Sequence, residues 1–490
     1  MQLYDTLSRT LKEVTTIDDV VTIYTCGPTV YDYPHIGNWY AFIRWDILNR
    51  ALVASGYKTK WVMNITDVGH LVSDEDEGED KLEKGAKREG KTAWDVAKFY
   101  SDYFIEGTKR LNFSQVYMLP KATDNIPEQI SLVKKLEEKG FTYTIDDGVY
   151  FDTAKLDDYG KLAHLDIDKL KAGARVELNP QKKNVTDFAL WKLSPTGEQR
   201  DMEWDSPWGK GFPGWHIECS AMSMKYLGET LTIHAGGIDH IPVHHTNEIA
   251  QSEAVTGKPL AHIWIHSNFI LVDGKKMSKS LENFYTLEDI ESRGYDLEVL
   301  RLFILESQYH TEATFSWDGL EASKSRLQGL KYLSDVMYQA QDSIEEGYAY
   351  DIDQLTDFKK RILEATSNNL NTPAVLRIIN ECLSSVANKK ILTSDVATYK
   401  QFLSFIDELT GLQFTQVSDI SKKQHELIDT YIKAKQNADY VTSDKIRTDL
   451  ASQGINVSDL SKQTYKWARN LIEMKASLNG SSSLATHLQL

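Results

Sequence analysis

Val20-Val21-Thr22-Ile23-Tyr24, followed by Gly27-Pro28 and then by His35-Ile36-Gly37-Asn38, is the stretch that decides the fold. A β-branched apolar run halted by Gly-Pro reads as a buried strand meeting a turn. Beyond the His-Ile-Gly-Asn tetrapeptide, Ile43, Ile47, Leu48, Ala51 and Leu52 recur at helical spacing as far as Gly56, a residue suited to the position just past a helix end. Trp61-Val62-Met63-Asn64-Ile65 then reads as a second strand. Strand, loop, helix, strand is the opening of a doubly wound α/β domain built on a parallel, Rossmann-like sheet.

Outward from that core, residues Ser73 to Lys91 are dense in both signs of charge and read as a solvated loop. Thr92-Ala93-Trp94-Asp95 has the form of a capping box and starts a helix running to about Leu111. From there to about Lys210 short strands mix with turn residues, as in an insertion. The strand-and-helix rhythm resumes with Leu231-Thr232-Ile233-His234, a glycine turn at Ala235-Gly236-Gly237-Ile238-Asp239, a helix from His244 to Val255, and Gly257-Lys258-Pro259 as its stop. After about Tyr295 helical periodicity dominates. The expected organisation is a first half of the nucleotide-binding domain over 1–111, an insertion over 112–210 and the second half over 211–295. A helical bundle over 296–415, a small C-terminal domain over 416–478 and a disordered tail over 479–490 follow.

At 490 residues, 41% hydrophobic and 26% charged, the composition is that of a globular protein of several modules. No apolar run approaches the ~18 residues that span a bilayer, and Met1-Gln2-Leu3-Tyr4-Asp5 does not begin as a signal peptide, so a cytoplasmic protein with no membrane partner is expected. Cys26, Cys219 and Cys382 include no Cys-x-x-Cys pair and are too few for a disulfide framework. Each is a buried apolar residue, a metal ligand or a reactive thiol, and Cys382, remote from every motif, is assigned to packing. The net charge of −16 weighs against a polyanionic partner without excluding one, because local basic stripes bind under an adverse total.

Two groups of residues carry chemistry. A helix start presents free N–H groups and a positive dipole end, so His35 to Asn38 sits where a triphosphate is stabilised. Gly37 lets a nucleotide approach the backbone, while His35 and Asn38 offer hydrogen bonds to phosphate oxygens. Lys276-Met277-Ser278-Lys279-Ser280, behind the turn Asp273-Gly274, places lysines and hydroxyls on a segment able to close over a departing pyrophosphate. Taken singly, the first motif is far more often a structural turn, and the second reads equally as a basic surface loop. The second group is Cys26, Cys219, His244 and Glu248. His244 and Glu248, four apart on one helix, project from one face, and both cysteines flank elements of the same fold. Two sulfurs, a nitrogen and a carboxylate oxygen suit zinc, although spacing alone leaves open two separately buried cysteines. A thiophilic metal beside an ATP motif points to activation of something that carries sulfur.

Together the two phosphate motifs resemble the signatures of the class I aminoacyl-tRNA synthetases. Their surroundings, Tyr24-Thr25-Cys26-Gly27-Pro28-Thr29-Val30-Tyr31-Asp32-Tyr33, Gly214-Trp215-His216-Ile217-Glu218-Cys219-Ser220-Ala221-Met222 and His244-His245-Thr246-Asn247-Glu248-Ile249-Ala250-Gln251-Ser252, resemble the cysteinyl-tRNA synthetase family. The likeness runs from near residue 20 to about Trp467. It implies ATP-dependent activation of L-cysteine to cysteinyl-adenylate and transfer to the terminal adenosine of tRNA(Cys), by a monomer. It implies that His35, Asn38, Lys276 and Lys279 are catalytic, that these with Gly37 and Asp239 bind ATP, and that Thr66, Trp215 and His216 contact cysteine. Cys26, Cys219, His244 and Glu248 match the family's ligands for one Zn²⁺ per chain, and Mg²⁺ accompanies ATP. The rival readings are a cysteine:amine ligase of the mycothiol-pathway type, which lacks the region after about Thr415, and a silent tRNA-binding paralogue, which would have lost signature lysines or zinc ligands.

The chain departs from the family pattern at several points. Asn38 stands where the wider class has histidine; Trp39-Tyr40-Ala41-Phe42 replaces an Ala-Arg-Thr-Phe type, losing an arginine; Asn64 to His70 lacks the usual aspartates; and Ala235 replaces the first of three glycines. Asn369-Leu370-Asn371-Thr372-Pro373 and Ser443 to Leu450 resemble the family's helical and terminal anticodon regions. Lys433, Lys435, Lys445, Arg447, Lys462, Lys466 and Arg469 supply local positive charge there, and Trp467 reads equally as a base-stacking surface or as core.

Overall fold

The structure, a computed structural model, describes residues 1–69, 81–164, 179–195, 200–277, 281, 283–339, 352–387, 396–457 and 467–469. Two compact units divide the chain: residues 1–297 with 307–316 and 366–371, and residues 298–306 with 317–365 and 372–490.

The first unit is built on a parallel sheet of four strands in the spatial order Ala261–Ser267, Leu231–Gly237, Val21–Thr25, Thr59–Met63. All five residues of Val21–Thr25 are buried, as befits a central strand covered on both faces. The two halves of the chain meet where Val21–Thr25 pairs with Leu231–Gly237. In an open α/β sheet that junction leaves a crevice beyond the carboxyl ends of the strands, where ligands bind. Helix Ile36–Ala54 follows the first strand and is capped by His35, whose side chain accepts from the Asn38 amide while the Asn38 side chain accepts in return. It ends two residues short of Gly56, and Thr92 and Asp95 cap the helix Ala93–Arg110 in the same reciprocal way.

Two local expectations change. Within the stretch read as a solvated loop, Lys81–Glu89 is a helix, because Leu82 and Ala86, four apart, are buried as a pair; residues 70–80 lie outside the described residues. Ala235-Gly236-Gly237 is not a turn but the end of a buried strand, and the turn is the short 3-10 segment Ile238–His240 that carries Asp239. Between the halves lies an antiparallel sheet of Thr142–Ile145, Gly148–Phe151, Phe188–Leu193 and Gly211–Pro213. Its last strand runs through Gly214 straight into helix Trp215–Leu227. Among the described residues no helix is long and apolar enough to cross a membrane.

The second unit is mainly helical, with Trp317–Gln339, Thr372–Ala387 and Val396–Thr410 prominent, and Cys382 is buried within it. Helices Lys422–Gln436 and Tyr440–Ser452 and the ribbon of Ile455–Val457 with Trp467–Arg469 enclose a separate small core of Ile428, Tyr431, Ile446, Leu450, Ile455 and Trp467. Trp467 is 2% exposed, so its ring is core and not a platform for a base. Arg469 is equally withdrawn, its Nε 2.7 Å from Asp335 Oδ1. Lys433, Lys445 and Arg447 are exposed, while Lys462, Lys466 and the tail 479–490 lie outside the described residues.

Candidate metal centre and nucleotide pocket

A cavity of about 640 Å³ lies in the first unit and is lined by Cys26, His35, Gly37, Asn38, Thr66, Trp215, Cys219, Asp239, His244 and Lys276, among others. That volume suits a nucleotide-sized ligand. Glu248 and His216 stand behind this wall, and Lys279, with Ser278 and Ser280, lies outside the described residues.

Three elements bring the candidate metal ligands together. Cys26 directly follows the central strand and is pinned by its backbone N–H, which donates to the Ala235 carbonyl at 3.1 Å. Cys219 lies in the second turn of helix Trp215–Leu227, while His244 and Glu248 occupy the first two turns of helix His244–Thr256. One ligand atom from each of the four lies within 4.8 Å of all the others, and all four residues are buried. The donor set fits zinc: two soft sulfurs, one imidazole nitrogen and one carboxylate oxygen, at separations a tetrahedral ion with bonds of ~2.0–2.3 Å spans after small adjustment. Three of the four line the cavity, so one side of the cluster is open to it.

A layer of histidines orients these groups. His244 Nε2 faces Glu248 Oε1 at 3.0 Å, while its Nδ1 lies 2.9 Å from Nδ1 of His216. Glu248 Oε2 is held by His234 Nε2 at 2.7 Å, leaving Oε1 to the cluster. Cys26 Sγ lies 3.2 Å from His245 Nε2, His245 Nδ1 is 2.8 Å from His266 Nε2, and His266 Nδ1 is 2.8 Å from the Thr6 hydroxyl. Ligands whose far side is held in this way are fixed in rotamer and tautomer. Sequence alone assigned no role to His234 or His245, and His266 lies in no motif. The adjacency of His245 to His244 was a local signal; His234 and His266 are united only by the register of two strands.

The electrostatics favour a cation. Burial pushes His244 down, but the charges of Glu248 and Cys219 outweigh it and raise it to about 10. Glu248 is driven well below the usual carboxylate range, because His234 and His244 overcome the opposing effect of burial. The hydrogen bond from Cys26, against burial, holds Cys219 at about 7, and burial keeps the Cys26 thiol protonated. The protein alone therefore keeps an imidazolium against a carboxylate here, a charge pattern that a divalent ion replaces with release of protons.

At the other end of the cavity His35 Nδ1 accepts from the Asn38 amide at 3.2 Å, so Nε2 is the protonated nitrogen. Burial lowers His35 to about 4, leaving a neutral donor. A Cβ on Gly37 would sit 2.6 Å from the Met277 methyl and 2.8 Å from the His35 ring. The His35 ring, held by its bond to Asn38, leaves no room for a side chain at position 37. Lys276 Nζ lies 5.1 Å above the Phe269 ring, and Asp239 stands at the mouth with its side chain 57% exposed.

The losses in the Trp39-Tyr40-Ala41 stretch are accommodated locally. Trp39 is buried and stacks on Phe104, in space that Gly107 leaves for it. A guanidinium returns one turn later: Arg44 lies 4.8 Å over the Tyr40 ring and donates to Ser307 Oγ at 2.8 Å.

Residues 12–325 match the family described as tRNA synthetases class I (C) catalytic domain. The chain is 42% identical over 465 residues to cysteine–tRNA ligase 1 of Burkholderia lata, covering 94% of this chain and 95% of the relative. It is 39% identical to the cysteine–tRNA ligase of Treponema denticola, covering 95% and 99%. Among solved structures, Mycobacterium tuberculosis methionyl-tRNA synthetase in complex with methionyl-adenylate superposes with a TM-score of 0.61 at 14% identity, over 81% of this chain and 93% of that one, a likeness of fold. With the match to the catalytic domain extending over both signatures and the likeness to curated ligases over nearly the whole length, the chain belongs to the cysteine–tRNA ligase family of class I synthetases.

Proposed function

We propose that this chain joins L-cysteine to tRNA(Cys) in two steps within the cavity. The reading is carried by one observation, the convergence of the Cys26, Cys219, His244 and Glu248 ligand atoms on a wall of the cavity that also holds His35 and Lys276. The relatives it matches are named cysteine–tRNA ligases, and the chain spans 95–99% of their length in two of them.

Zinc held by those four residues, when bound, supplies a soft Lewis acid for the substrate thiolate. A pocket that selects by shape separates near-isosteres by only about 10²-fold, so a preference for sulfur over the serine hydroxyl needs a centre of this kind. Trp215, whose ring centroid lies 4.5 Å from that of His244, covers the amino acid, and Thr66 meets its amino group.

In the first step a cysteine carboxylate oxygen attacks the α-phosphorus of ATP. The new oxygen–phosphorus bond replaces the bond to the β-phosphate, and pyrophosphate leaves with Mg²⁺, which enters with the nucleotide. His35, through Nε2–H, and Asn38 and Lys276, through N–H donors, meet the charge that develops on the phosphates, a form of stabilisation that is preorganised and needs no covalent intermediate. Lys279 joins them in this reading, and Asp239 accepts from the ribose hydroxyls. In the second step the 2′-hydroxyl of the terminal adenosine attacks the adenylate carbonyl, the ester forms and AMP departs.

Cysteine-dependent exchange of pyrophosphate into ATP by zinc-loaded enzyme, followed by acylation of purified tRNA(Cys), tests the proposal. Serine should support neither. Equal exchange with serine, or acylation undiminished after zinc is stripped, would overturn it.

A further inference from the structure

Thr66 is held in place by its backbone, its N–H donating to the Pro28 carbonyl at 3.0 Å and its carbonyl accepting from Val30 at 3.1 Å. Its hydroxyl ends a chain of hydrogen bonds whose polarity is set at the far end. The Gly27 backbone N–H, an obligatory donor, gives its proton to Asn64 Oδ1 at 2.9 Å. The Asn64 amide must then present Nδ2, which donates to Thr66 Oγ1 at 3.0 Å. With an incoming donor on one side, the hydroxyl proton goes to Glu218 Oε2 at 3.1 Å. A carboxylate there can only accept, and a hydroxyl turned toward the cavity would set two oxygens face to face. Chain and site are dry: Asn64 is 1%, Thr66 2% and Glu218 0% exposed. A Cβ on Gly27 would lie 1.7 Å from the Asn64 carbonyl oxygen, so this approach of the two segments needs glycine.

We propose that Glu218 is a positioning residue that sets the hydroxyl of Thr66 to present a lone pair to the cavity and nothing else, and thereby makes this wall selective for the α-ammonium of the amino acid. This rests on the reading that the cavity takes free cysteine. Glu218 touches no substrate. It takes up the proton that would otherwise point at the ammonium. Recognition of a thiol at the metal and of an amine at Thr66 would fix the amino acid at two points and aim its carboxylate at the nucleotide.

The experiment measures calorimetric dissociation constants of two thiols on zinc-loaded enzyme: cysteamine, which keeps the amine and lacks the carboxylate, and 3-mercaptopropionate, which does the reverse. Glu218→Gln, whose amide can set an N–H where the Thr66 hydroxyl finds an acceptor, should weaken cysteamine about tenfold, the scale of one hydrogen bond to a charged group. Glu218→Met, which removes the acceptor altogether, should weaken it further. Both variants should bind 3-mercaptopropionate within a factor of about three of the unaltered enzyme, and the ratio of the two constants does not depend on the fraction of active protein. Equal weakening of both thiols, no change in either, or failure of both variants to yield soluble zinc-bearing protein would overturn the proposal in favour of a structural carboxylate. If the unaltered zinc enzyme binds neither thiol, it is the proposed function that fails.

Discussion

At the thiol end of the cavity all four candidate ligands are buried and three of them, Cys26, His244 and Glu248, are backed by a histidine, whereas at the nucleotide end Asn38 and Lys276 are exposed and His35 is half-buried. The difference follows from what each end must do. Choosing sulfur over oxygen needs fixed, desolvated donors, since a loose site would let water satisfy the hydroxyl as well as the thiol. Holding a triphosphate needs charge that is cheap to keep before the ligand arrives, and exposed lysines meet that condition because water solvates them until phosphate oxygens take over. Selectivity and rate enhancement are thus assigned to different walls. Substitutions should separate them.

The largest effect is expected from Cys219→Ser. Loss of a thiolate from the cluster should leave less than about a tenth of the zinc and lower cysteine-dependent exchange beyond the ~100-fold that a group merely supporting a ligand contributes. Elemental analysis checks the first and exchange the second; full zinc content would contradict the ligand set. Lys276→Ala acts at the other wall. Adenylate formation in single turnovers should slow about a hundredfold, as on removal of one preorganised charge donor, while the dissociation constant for cysteine stays the same. A parallel loss of cysteine affinity would show that the two ends are not separable.

His216→Ala sharpens the same contrast from behind the wall. His216 meets the cluster at His244, Nδ1 to Nδ1 at 2.9 Å. Zinc affinity, read by competition with a chelator, should fall about tenfold, with activity recovered when zinc is added in excess. If excess zinc restores nothing, His216 contacts the amino acid directly.

How much of this was legible in the sequence follows the same division. The central strand, its following helix and the Thr92 cap were readable because each is set by residues within a few positions of one another: Val21 to Thr25, Ile43 to Leu52, Thr92 with Asp95. The four candidate ligands were suggested by residue type and by the four-residue interval of His244 and Glu248, and joined into one set only by the resemblance to the family. The layer that orients them was not readable, because it depends on register: Trp264 pairs with His234 and His266 with Gly236 across parallel strands whose paired positions lie 30 apart in the chain, and no local spacing records that pairing. The Glu218–Thr66 contact spans 152 positions and was hidden for the same reason. Trp467 was ambiguous in principle, since an aromatic among apolar residues looks alike whether it closes a small core or faces a base; only its 2% exposure decides. The glycines after Ala235 were misread as a turn because their lack of side chains signals either a bend or a close approach, and here the strand continues past His245 and His240, which fill the space a Cβ on Gly236 would need.

The smallest expected effect is an absence, and it tests whether His35 works by charge or by direction. Burial holds its imidazole at about 4, below the ordinary histidine value, so it is neutral at every pH above that, and its Nδ1 is committed to the Asn38 amide. What remains is a single Nε2–H aimed into the cavity. An imidazolium at this place would lose its proton near pH ~6.5, and exchange would decline through that range as the charge disappeared. A neutral donor gives no such decline. Between about pH 5.5 and 9, kcat/KM for ATP should therefore follow the same curve in the unaltered enzyme and in His35→Asn, displaced downward in the variant by about tenfold to a hundredfold for the donor moved out of place. Curves that diverge at low pH and meet at high pH would show that a charge had been lost instead, and the nucleotide end would then depend on a proton that burial disfavours.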